Sequence, residues 1–170
     1  MDFLTLILLA ALPALAITGG LWDLTSMKIP NWISGALVLL FFPAALVVGL
    51  PPMTVAIHLG VGALALFTGA GMFALRWIGG GDAKLMAASC LWLGLSGSGM
   101  FLLYTGLMGG LFCLVLMFAR SYSQPYLAGA PQWLTQLMEP KGDIPYGVAI
   151  AAGALIAYPA SPLLAAFIAG

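Results

Sequence analysis

Charged residues are so scarce in this chain that water cannot be its main solvent. Only 6% of the 170 residues are Asp, Glu, Lys or Arg, against roughly a quarter in soluble globular domains. With 63% hydrophobic residues there is too little polar surface to coat a water-soluble globule. Lipid must surround most of the chain.

A helix that spans a bilayer needs about 20 mostly apolar residues. Six stretches are candidates: Phe3–Trp22, Trp32–Leu50, Met53–Ile78, Ala83–Leu95, Met100–Ala119 and Tyr146–Ile168. The breaks between them carry turn chemistry: Ile29-Pro30-Asn31, Pro51-Pro52, Gly79-Gly80-Gly81 and Ser96-Gly97-Ser98-Gly99. The fourth stretch reaches only about 20 Å at 1.5 Å per residue. It either extends through the Ser/Gly run or ends inside the bilayer. The expected fold is all-α: a polytopic membrane protein of about six transmembrane helices, forming one domain over residues 1–170. Its one sizeable loop covers about residues 120–145. Trp133, Leu134, Leu137 and Met138 in that loop fit a short surface helix or a plain connector.

Met1-Asp2 offers no positive n-region, and the apolar run continues to Trp22, so the N-terminal stretch reads as a span and not as a signal peptide. Cys90 and Cys113 lie in apolar runs without metal-ligand spacing. The formal net charge is zero, and no basic surface points to nucleic acid. There is no HExxH, and neither a metal nor a cofactor is expected.

Orientation follows from Lys and Arg. Lys28, Arg76, Lys84, Arg120 and Lys141 border the first, third and fifth loops, so six spans place all five on one side. That side is expected to be cytoplasmic, with both termini outside.

Acidic residues in membrane segments cost several kcal/mol and usually serve function. Asp2 is terminal, and Glu139 and Asp143 lie in the loop. Asp23 and Asp82 differ, since each stands at the cytoplasmic end of an apolar span. Two aspartates sharing a proton can split peptide bonds, one as base toward water and the other as acid toward the carbonyl. The competing reading pairs Asp23 with Lys28 and Asp82 with Lys84. Gly79-Gly80-Gly81 before Asp82 permits close approach of another chain. A helix hinge would explain these glycines, but not the acid. The macrodipole favours charge on Asp82 at a helix N-terminus over Asp23 near a C-terminus. Asp82 is therefore expected to be the more readily ionised.

Gly79-Gly80-Gly81-Asp82 resembles the GxGD signature of membrane aspartic peptidases. Gly81-Asp82-Ala83-Lys84-Leu85 resembles the GDxKL form of type IV prepilin peptidases. Asp23 followed by Lys28-Ile29-Pro30-Asn31 resembles that family's first motif, and Ile144-Pro145-Tyr146-Gly147 its late Pro-aromatic-Gly motif. The chain is most similar to the short members that serve tight-adherence (Flp-type) pilus systems.

The resemblance implies an aspartic endopeptidase of the bacterial inner (cytoplasmic) membrane. Asp23 and Asp82 would be its catalytic pair, at the cytoplasmic face. Its substrates would be prepilins or pseudopilins, with a basic leader, a glycine before the cut and a hydrophobic helix after it. Its partners would be that substrate and the lipid bilayer. Larger members add a cytoplasmic region, often with a four-cysteine zinc site, and N-methylate the product. Those cysteines are missing here, so methylation is not expected.

Lys28, Pro30, Asn31, Gly79, Gly81, Lys84, Pro145, Tyr146 and Gly147 are candidates for binding or positioning substrate. Each also has a plainer role. Lys28 and Lys84 fit interface anchors, Pro30 and Asn31 a turn with Asn31 as N-cap, and Pro145, Tyr146 and Gly147 a helix start. Glu139 and Asp143 fit either a subsite for a basic leader or a solvated loop. His58 stands about 27 Å of helix from Arg76 at 1.5 Å per residue, too far to assist the aspartates. A proton-coupled transporter using the two acids, or a structural subunit of a secretion system, remains the alternative.

Overall fold

A computed structural model of the chain describes residues 3–123, 127, 129–140 and 142–169. Asp2 and Lys141 lie outside the described residues. The elements are α1 (Phe3–Leu9), α2 (Ala11–Ser26), α3 (Asn31–Val47), α4 (Pro52–Ala74), α5 (Gly80–Ser123), α6 (Gln132–Leu137), α7 (Gly147–Ala157) and α8 (Pro162–Ala169). A 3-10 turn, Tyr158–Ala160, joins the last two. The chain is an all-α polytopic membrane protein. Phe3–Ser26, Pro52–Ala74, Gly80–Tyr122 and Gly147–Ala169 are long and apolar enough to cross a bilayer, and Asn31–Val47 is a shorter apolar helix.

The apolar runs break where backbone hydrogen bonds are lost, and in lipid those groups need replacement partners. Pro13 has no N–H to give the Leu9 carbonyl, so α1 and α2 part there. Leu9 O instead accepts the Tyr158 hydroxyl at 2.7 Å. Helix α2 runs past the expected end at Trp22 to Ser26, so Asp23 lies inside its last turn. The Thr25 and Ser26 hydroxyls bond back to the Leu21 and Trp22 carbonyls, at 3.0 and 2.7 Å. Met27 then closes the helix in the left-handed region at φ 55°.

Helices α3 and α4 end before the expected Leu50 and Ile78. Gly49 (φ 70°) and Arg76 (φ 61°) turn left-handed. The N–H groups of Leu50 and Trp77 then reach back to Ala45 O and Met72 O, each at 2.9 Å.

The expected loop at Ser96–Gly99 is helical. The break falls instead at Gly94 (φ 62°, ψ −167°), and the chain folds back on itself there. Met86 before it and Leu102 after it line the same cavity. The carbonyls beside the break accept side-chain donors. His58 Nδ1 meets Leu91 O at 2.6 Å, Ser161 Oγ meets Trp92 O at 2.7 Å, and Ser98 Oγ meets Gly94 O at 2.6 Å. His58 is thus a buried structural residue stacked against Phe41.

Packing uses small residues, as expected where backbones must approach without a hydrophobic driving force. A Cβ on Gly62 would lie 3.0 Å from Leu91 Cβ, and one on Gly69 would lie 3.1 Å from Ala83 Cβ, so α4 runs antiparallel to the first limb of α5. Gly153 of α7 faces Thr105 of the second limb. The core centres on Trp92, Phe41, Phe101 and Ile33, while Leu46, Phe67 and Leu64 face outward. The loop holds the short helix α6, which carries Trp133, Leu134 and a buried Leu137.

Candidate active site

Asp23 and Asp82 line one cavity of about 640 Å³. Its walls come from α2, the Arg76–Gly79 turn, both limbs of α5 and the Ile144–Tyr146 segment. The two carboxylates lie within electrostatic reach of each other. Asp23 is buried, 6% exposed, and Asp82 is half-buried. Among the described residues neither aspartate forms an ion pair with the lysine near it in sequence, and Lys84 Nζ donates instead to Asn31 Oδ1 at 2.8 Å.

Each carboxylate is held by a backbone N–H. Asp82 Oδ2 accepts from Gly79 at 3.2 Å, and Asp23 Oδ2 accepts from Gly147 at 2.8 Å. Gly147 opens α7, so Asp23 also meets the positive end of a helix. The contrast that reserved a helix N-terminus for Asp82 alone therefore does not hold.

Two glycines are required by close approach. A Cβ on Gly147 would lie 2.8 Å from Asp23 Cβ, and one on Gly81 would lie 3.0 Å from Ile29 Cβ. Ile29 is buried between these glycines and Gly19. It joins the Lys28–Asn31 turn, the Gly79–Asp82 turn and the start of α7 into one cluster. Its place in the motif was legible, but its contacts are not readable from spacing.

The remaining candidates divide. Gly79, Pro145 and Tyr146 line the cavity, and Tyr146 lies against Gly109, where no side chain intervenes. Lys84 and Asn31 line a separate apolar groove of about 530 Å³ between α3, α4 and α5. Pro30, not Asn31, occupies the N-cap of α3, and no side chain caps that end. The Asn31 side chain is engaged by Lys84 instead. Lys28 is exposed, and neither it nor Pro30 lines the cavity. Glu139 and Asp143 line a small polar cavity of about 220 Å³, and Asp143 borders the larger one as well.

Arg76 and Thr105 also line the site, and sequence reasoning did not single them out. Thr105 is buried with its hydroxyl unpaired. Among the described residues no three His, Cys, Asp or Glu side chains gather as a metal site.

The model of the type IV leader peptidase family matches residues 10–114, more than half of the chain. The chain belongs to that family. The match includes Asp23, Asp82 and the Ile29–Gly81 contact, and it ends before Asp143 and the 144–147 segment. No curated protein and no solved structure gives a significant match. As a leader peptidase, the chain works on peptide bonds.

Proposed function

We propose that this leader peptidase removes the basic leader of prepilins or pseudopilins at the cytoplasmic membrane face. Asp23 and Asp82 would activate a water between them. The observation that carries the reading is that these two acids, from separate sequence motifs, border one cavity.

In the proposed cycle one carboxylate takes a proton from water as it attacks the scissile carbonyl. The other, protonated, donates to the carbonyl oxygen and later helps the amine leave. Like charges in close contact cannot both ionise easily, so the two acids would share one proton. Gly79, which lines the cavity, would present bare backbone to an extended substrate chain beside Asp82. The Pro145–Tyr146 wall would shape the cleft, and the substrate's hydrophobic helix would lie in the bilayer alongside. The short, tight-adherence type of system is the proposed setting.

The test is co-expression with a candidate prepilin, read as a mobility shift on a gel. Asp23→Asn and Asp82→Asn should each slow processing at least about 100-fold, the scale of a lost acid or base, while the protein stays in the membrane. Normal processing by either variant would overturn the reading.

A further inference from the structure

Arg120 stands near the inner end of α5 and is 8% exposed, whereas Lys28, Arg76 and Lys84 are all exposed. Burying a guanidinium is costly unless its donors are satisfied. Here three of them are: Nε donates to Leu137 O at 2.9 Å, Nη1 to Gly142 O at 2.9 Å, and Nη2 to Asp143 O at 2.8 Å. All three acceptors are main-chain carbonyls, one at the end of α6 and two just before α7. Ile144, Pro145 and Tyr146, which follow at once, line the cavity. The next residue, Gly147, donates its N–H to Asp23.

We propose that Arg120 is a positioning residue. Its fork clamps Leu137, Gly142 and Asp143, and through them it sets the Gly147 N–H on Asp23 and the Pro145–Tyr146 wall beside the two acids. The planar guanidinium suits this task because it presents several donors in fixed directions, whereas an ammonium is a single point charge on a flexible stem. The effect on turnover rests on the leader-peptidase reading; the link from Arg120 to Asp23 does not.

The experiment uses the full chain in lipid nanodiscs, labelled with ¹⁵N-glycine. The Gly147 amide signal is assigned by its loss in Gly147→Ala, and Asp23→Asn shows where it moves when the carboxylate is gone. Arg120→Gln should move it in the same direction, and Arg120→Lys by less. The Gly60 and Gly62 signals of α4 should stay in place and count the folded enzyme. Prepilin turnover per folded enzyme should fall about tenfold or more in Arg120→Gln, the scale of a misplaced catalytic group.

An unmoved Gly147 signal with slowed turnover would make Arg120 a structural tie only and would overturn the proposal. So would a moved signal with unchanged turnover. If Arg120→Gln does not fold, Arg120→Lys decides by the same two criteria. If the wild-type chain processes no prepilin, the peptidase reading fails separately, and a Gly147 signal that ignores Arg120 would still refute the link.

Discussion

Asp23 Oδ2 accepts the Gly147 N–H at 2.8 Å, a bond between residues 124 positions apart. It joins α2 to α7 and places an acid of the cavity at a helix N-terminus. The site is therefore closed by the C-terminal part of the chain, beyond residue 114, where the family match ends.

Gly147→Ala should strike at that bond. The added Cβ would sit 2.8 Å from Asp23 Cβ, so α7 or Asp23 must shift. Overpacking of this kind costs about 1–3 kcal/mol. A lower thermal midpoint in detergent and slower prepilin turnover are expected. Wild-type values for both would mean that the contact is looser than described.

Ile29 and Gly81 should behave as a coupled pair. Gly81→Ala places a methyl 3.0 Å from Ile29 Cβ, an atom that Ile29→Gly removes. Thermal denaturation of the two single variants and the double variant should show a favourable coupling of about 0.5–3 kcal/mol. Strict additivity would count against the packing of the Lys28–Asn31 turn on the Gly79–Asp82 turn.

Tyr158 and Pro13 form a second testable pair. Tyr158→Phe removes the donor to Leu9 O, whose helical partner Pro13 cannot supply. The orphaned carbonyl should cost about 1–3 kcal/mol. In a Pro13→Ala background the backbone can supply the missing N–H, so the same change should cost clearly less. An equal cost in both backgrounds would refute this account.

His58→Phe keeps a ring against Phe41 but removes the donor to Leu91 O. The expectation is a loss of about 1–3 kcal/mol in stability, with turnover per folded enzyme unchanged. A specific loss of turnover in folded protein would bring His58 into the chemistry, contrary to its position beside Gly94.

Part of the cavity's lining was legible in the chain. Asp23 and Asp82 stood out because acids are expensive in apolar spans, and the glycines before Asp82 marked a place of close approach. The roles of Asn31 and Lys84 were not legible, since their mutual bond crosses 53 positions. The position of the α5 fold-back was missed for a related reason. The Ser96–Gly99 run carries the stronger local turn signal. The break settled instead at Gly94, where His58 and Ser161, 33 and 69 positions from the carbonyls they serve, supply donors.

The sequence by itself determined the solvent of this protein, its helical class and the residue types able to do chemistry. Those follow from charge scarcity, from the need of a backbone in lipid to satisfy its own hydrogen bonds, and from the cost of a membrane acid. Tertiary structure alone decided that the two acids share a cavity, that Gly147 holds one of them, and that Arg120 ties down the segment between α6 and α7. Helical periodicity reports on neighbours three or four positions away. These arrangements depend on partners dozens of residues distant, which only packing brings together.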